Sequence, residues 1–96
     1  MQPSARKFGN AVRKCIVENP WGTIAKVTTK TTSFRGLGYG DGIFANIHTT
    51  QPVPDNVKDK LRTIQAEFEA QADEGNHFII ELSGPPYPFG GTIKKS

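Results

Sequence analysis

The sequence predicts an α+β domain: one antiparallel or mixed sheet of about four strands, in the order β-β-β-α-β, with one long helix packed on a single face. Three observations carry that expectation. Stretches 23–34, 43–50 and 77–82 are β-branched or alternate apolar with polar residues, the period of a strand. Stretch 54–74 instead repeats its apolar residues at helical spacing. The chain has 96 residues, the size of one domain with one core. It shows no internal repeat and no domain boundary.

Taken in order, residues 1–10 read as a loose arm, because Pro3, Ser4, Gly9 and Asn10 interrupt any regular period. Ala11 to Glu18 reads as the first strand, with Cys15, Ile16 and Val17 as its apolar run. Asn19-Pro20-Trp21-Gly22 has the composition of a tight turn. It leads to a long second strand, Thr23 to Phe34, rich in threonine. One face of that strand carries Lys26 and Lys30 and is expected to be the wetter one; a Thr/Lys-rich strand also suits a protected sheet edge. In Ile43–Thr50, Ile43, Ala45 and Ile47 alternate with Phe44, Asn46 and His48. Pro54 opens the helix and Asp55 suits its positive end. Val57, Leu61, Ile64, Phe68 and Ala72 form its apolar stripe, and Gly75-Asn76 ends it. Phe78, Ile80 and Leu82 share one face of the next strand, which a right-handed crossover would pair in parallel with the strand before the helix. Residues 84–96 are rich in proline and glycine, with Thr92-Ile93-Lys94 able to add a short edge strand. The expected core is Val17, Val27, Ile43, Ala45, Ile47, Val57, Leu61, Ile64, Phe68, Phe78, Ile80 and Leu82.

Charge is divided unevenly. Residues 1–40 carry seven cations, Arg6, Lys7, Arg13, Lys14, Lys26, Lys30 and Arg35, against Glu18 alone. Residues 41–90 carry three cations against eight acids, and Lys94 and Lys95 bring the net charge to +3. A basic half of this kind suits a polyanionic partner, although the two halves would also neutralise each other across the fold. No apolar run approaches the roughly 20 residues that span a bilayer, and no apolar core of a signal peptide follows Arg6-Lys7. The single cysteine excludes an internal disulfide and suits a reducing compartment, so a cytoplasmic location is expected, without membrane attachment.

Catalytic and metal chemistry find little support. Cys15, His48 and His77 share no short ligand spacing, so no metal or other cofactor is expected. Cys15 reads as a packed small apolar side chain, and the carboxylates fall on exposed flanks of the helix with no enclosed place to act as acid and base. The protein reads as non-enzymatic.

The glycine-rich stretch Phe34–Gly42 fails as a phosphate cradle, since a strand follows it where a helix N-terminus is required. Arg35-Gly36-Leu37-Gly38-Tyr39 resembles in part the RNP1 segment of RNA-recognition motifs. It departs from that pattern where Leu37 replaces an aromatic and Gly40 a β-branched residue, and no helix is expected between the first two strands. The likeness is one of composition rather than kinship. Arg35 and Tyr39 still have the chemistry to contact phosphate, base or protein. Trp21 on its turn either marks an interface or folds back over the core. Tyr87 and Phe89 lie in an extended, proline-rich strip that offers a further contact surface or drapes over its own domain.

These features give two functional expectations. The first is a small binding protein that uses a basic N-terminal hairpin and the glycine-rich loop to contact nucleic acid or a nucleoprotein complex, through Arg13, Lys14, Trp21, Lys26, Lys30, Arg35 and Tyr39. The second is a protein-docking inhibitor or accessory subunit of a larger complex, of which phage-encoded inhibitors are one group.

Overall fold

Phe8, Val12 and Cys15 stand at helical spacing, and in the computed structural model they are the buried stripe of α1, Ala5–Glu18. The structure describes residues 1–21, 25–33, 36 and 40–93. The Ser4 hydroxyl caps α1 by accepting from the Lys7 N–H at 3.1 Å. Asn19 ends it: its backbone N–H donates to the Ile16 carbonyl (3.3 Å) and its Nδ2 to the Cys15 carbonyl (2.8 Å). Two expectations are thereby corrected. Residues 11–18 are helix rather than strand, and the Asn19-Pro20 signal is a helix stop rather than a hairpin turn. Residues 1–10 are not a loose arm either, because Gln2 Oε1 accepts from the Asp73 N–H and from Asn76 Nδ2. Val17, expected in the core, faces outward at 78% exposure.

The remaining elements are β1 (Lys26–Ser33), β2 (Asp41–His48), α2 (Asp55–Glu69), β3 (His77–Ser83) and β4 (Gly91–Thr92). The order is therefore α-β-β-α-β-β, with the four strands side by side in sequence order. β1 and β2 pair antiparallel, β2 and β3 parallel across α2, and β3 and β4 antiparallel, so the sheet is mixed. The helix is shorter than its apolar stripe suggested, with Pro54 as its N-cap. The last strand is a two-residue edge piece.

Register fixes which residues share a face. Val27, Ile43, Ala45, Ile47, Phe78, Ile80 and Leu82 line one side of the sheet and are all buried. Both helices cover this side. Phe8 of α1 and Phe68 of α2 each meet Phe78 of β3, with ring centroids 5.0 and 5.5 Å apart, and Phe8 and Phe68 lie 5.0 Å from each other. This tilted cluster joins two helices and the sheet, and each such buried side chain contributes about 1.5–3 kcal/mol as an upper estimate. Ile64, expected in the core, packs against it half-buried.

A polar device closes the sheet at β4. Gln65 of α2 is 3% exposed; its Oε1 accepts from the Ile80 N–H at 2.8 Å and its Nε2 donates to the Ile93 carbonyl at 3.2 Å. The carboxamide bridges an N–H and a carbonyl that a regular antiparallel pair would join by a direct hydrogen bond, while the Ile93 N–H still reaches the Ile80 carbonyl at 3.0 Å.

Candidate contact surface on the open sheet face

Strand alternation sends the other half of the side chains away from the helices. Among the described residues no helix covers this second face. It carries Lys26, Thr28, Lys30 and Thr32 from β1, Phe44, Asn46 and His48 from β2, and Ile79, Glu81 and Ser83 from β3. The lysines and His48 are exposed; Phe44, Asn46, Ile79, Glu81 and Ser83 are half-buried.

Cations gather along its β1 side. Lys26 and Lys30 lie about 13 Å apart along one strand. Lys30 places its Nζ 5.3 Å from the centre of the Phe44 ring, a cation–π distance. Arg13 reaches the same strand from α1: Nη2 donates to the Val27 carbonyl at 3.1 Å and Nη1 to Asn10 Oδ1 at 2.9 Å. The guanidinium thus blunts the outer edge of β1 and adds a third cation to that side. Negative charge lies two strands away at Glu81, and His77 faces Glu69 at 3.4 Å at the start of β3.

A hydrogen-bonded group occupies the carboxyl end of β2 and β3. Ser83 Oγ donates to Asn46 Oδ1 at 2.8 Å and lies 3.3 Å from His48 Nδ1. Ser83 Oγ thus ties the Asn46 and His48 side chains to one point.

Of the expected binding residues, Lys26 and Lys30 are on this face, and Arg13 is at its β1 edge on the side of α1. Lys14 is not on this face. It lies on the helical side, where with Ala11, Cys15, Glu18, Lys60, Thr63 and Ile64 it lines an open cavity of about 410 Å³ between α1 and α2. Burial pushes the Cys15 thiol above its ordinary value, an effect that Lys60 partly offsets and Glu18 reinforces. His48 lies on the opposite face of the sheet and His77 against Glu69 of α2, so the structure pairs neither histidine with Cys15. Trp21 folds back: it packs half-buried against the core, with Nε1 donating to Thr49 Oγ1 at 3.2 Å. Arg35 and Tyr39 lie outside the described residues.

Phe44, Asn46, His48 and Ser83 were missed as site residues. Their signal lay in the alternation of 43–50, where an aromatic occupies the polar side of a half-buried strand. Among the described residues no three His, Cys, Asp or Glu side chains are grouped to hold a metal ion, and no helix is long and apolar enough to cross a membrane. The chain matches no protein-family model, no curated protein and no solved structure.

Proposed function

We propose that this is a non-enzymatic binding protein whose open sheet face contacts nucleic acid, alone or within a nucleoprotein complex. The observation that carries the reading is the pair of lysines, Lys26 and Lys30, on an uncovered sheet face bearing Phe44, with Arg13 at the edge of the same strand. Lysines on one strand meet phosphates as point charges, and each phosphate neutralised releases counterions. With about three such contacts, affinity falls roughly 20–40-fold between 50 and 200 mM salt. Replacing Lys26 and Lys30 together by glutamine reduces the slope of log affinity against log salt by roughly 1.5. Titration of labelled DNA and RNA by fluorescence anisotropy measures both quantities. Absent or salt-independent binding overturns the reading.

A specific observation favours docking to a protein as the second reading. Phe89 is 99% exposed at the tip of a fixed turn. The turn is held by the Tyr87 N–H on the Gly84 carbonyl and the Gly90 N–H on the Tyr87 carbonyl, both at 2.9 Å. The Tyr87 hydroxyl accepts from the Val53 N–H at 3.0 Å. A rigidly held, solvated aromatic is the kind of residue that anchors an interface. An inhibitor or accessory subunit acting this way would retain its partner after nuclease treatment and release it on Phe89→Ala.

A further inference from the structure

We infer that the nucleic acid taken by this face is single-stranded, with one base stacked on Phe44 and its neighbour's edge met by Asn46 and His48. The inference rests on the nucleic-acid reading above and narrows it to a substrate class.

Three observations carry it. The first is the ring itself. Phe44 lies on an inner strand, half-buried, and the ring face that is not packed under the protein is covered by Lys30, whose Nζ stands 5.3 Å from the ring centre, so a base that stacks there takes the place of the ammonium. Ile79, its partner on β3, supplies an apolar neighbour. A base pair inside a duplex already has both faces stacked, and only an unpaired base can lie on such a ring. Lys30 is then placed beside the stacked nucleotide, free to turn to its phosphate.

The second is spacing. Asn46 is two residues beyond Phe44 on the same face, about 7 Å along the strand. There the Ser83 hydroxyl fixes Asn46 through Oδ1 at 2.8 Å, and His48 is fixed through Nδ1. The Asn46 Nδ2 donor and the other ring nitrogen of His48 are the hydrogen-bonding groups offered to a base edge at this end of the face. Lys26, the register partner of His48, supplies a cation at that end.

The third is width. Four strands at about 4.8 Å spacing span roughly 14 Å before side chains are added. The major groove of B-DNA is only about 12 Å wide, so the face cannot enter it flat.

The test is fluorescence anisotropy of the full chain with labelled 12-mers, oligo-dT, oligo-dA and oligo-U, against a blunt duplex of the same length. Single strands are expected to bind at least roughly tenfold tighter than duplex. Phe44→Leu, which keeps bulk but removes the π face, is expected to weaken single-strand binding by roughly tenfold and leave duplex binding unchanged. Phe44→Tyr is expected to retain it, and Asn46→Ala to shrink the differences among the three oligomers. Circular dichroism of each variant controls for folding, and the Phe44→Leu and Phe44→Tyr pair separates stacking from packing. Equal affinity for duplex, or a Phe44→Leu variant that binds like the parent, overturns the inference. If that binding still depends on salt and on Lys26 and Lys30, the broader reading stands. Failure of every probe to bind overturns both.

Discussion

Gln65 shows how one side chain can decide whether a strand belongs to a sheet. Its amide accepts from Ile80 and donates to Ile93 in a place where it is almost fully buried. Gln65→Leu would fill the space with similar bulk but leave a buried N–H and a buried carbonyl without their partner. Each such group costs about 1–3 kcal/mol, partly offset by the extra apolar burial. The variant is expected to lose about 2–4 kcal/mol in urea unfolding, a large share of the stability of a domain this size. A loss below about 0.5 kcal/mol would show that the amide bridge contributes nothing. This role was not legible beforehand. Between Ile64 and Ala66 a glutamine reads as a solvated helix position, and only the two-residue length of β4 creates the vacancy that it fills. Thr49 is a second case. It is fully buried, and its hydroxyl accepts from Trp21 Nε1 and the Gln51 N–H while donating to the Gln51 carbonyl. Gly84 sits over it at φ 111°, where an added Cβ would fall 2.0 Å from the Thr49 carbonyl oxygen.

At the scale of elements, β2, α2 and β3 were legible because each keeps one clean period over its length. Ile43-Ala45-Ile47 and Phe78-Ile80-Leu82 alternate, and Val57-Leu61-Phe68 recur at helical spacing. α1 was not, for a physical reason. Its helical stripe begins at Phe8, in a stretch where Gly9 and Asn10 argue against helix, and the remaining Cys15-Ile16-Val17 reads as a short strand. Gly9 is there because of packing. An added Cβ would lie 2.5 Å from Thr29 Cγ2, so the glycine lets α1 approach β1. Gly9→Ala gains about 1 kcal/mol of helix propensity but overpacks this contact at a cost of about 1–3 kcal/mol. A net loss is therefore expected. Thr29→Ala should relieve it, giving a coupling of about 1 kcal/mol or more in a double-mutant cycle. Additive effects of the two substitutions would remove the contact as the reason for the glycine.

At the scale of the molecule, placing both helices on one face is what leaves the other free, and the same topology makes β1 an open edge. Two bonds set the direction of its backbone groups. The Thr49 N–H donates to the Ser83 carbonyl at 3.0 Å, so odd-numbered residues of β2 face β3 and even-numbered ones face β1. Arg13 takes the Val27 carbonyl at 3.1 Å, so odd-numbered residues of β1 point outward. The amides of Thr28, Lys30 and Thr32 therefore bond to β2, while those of Thr29 and Thr31 face outward. Hydrogen exchange followed by NMR should alternate along β1, slow at Thr28, Lys30 and Thr32 and fast at Thr29 and Thr31, with the β2 amides slowest. The inverse alternation would mean a register shifted by one residue and would exchange the two faces of the strand. The same measurement separates the two kinds of partner. A nucleic acid lying on Lys26, Lys30 and Phe44 touches side chains and leaves the alternation unchanged. A protein that adds its own strand to this edge would slow Thr29 and Thr31 to the rate of their neighbours.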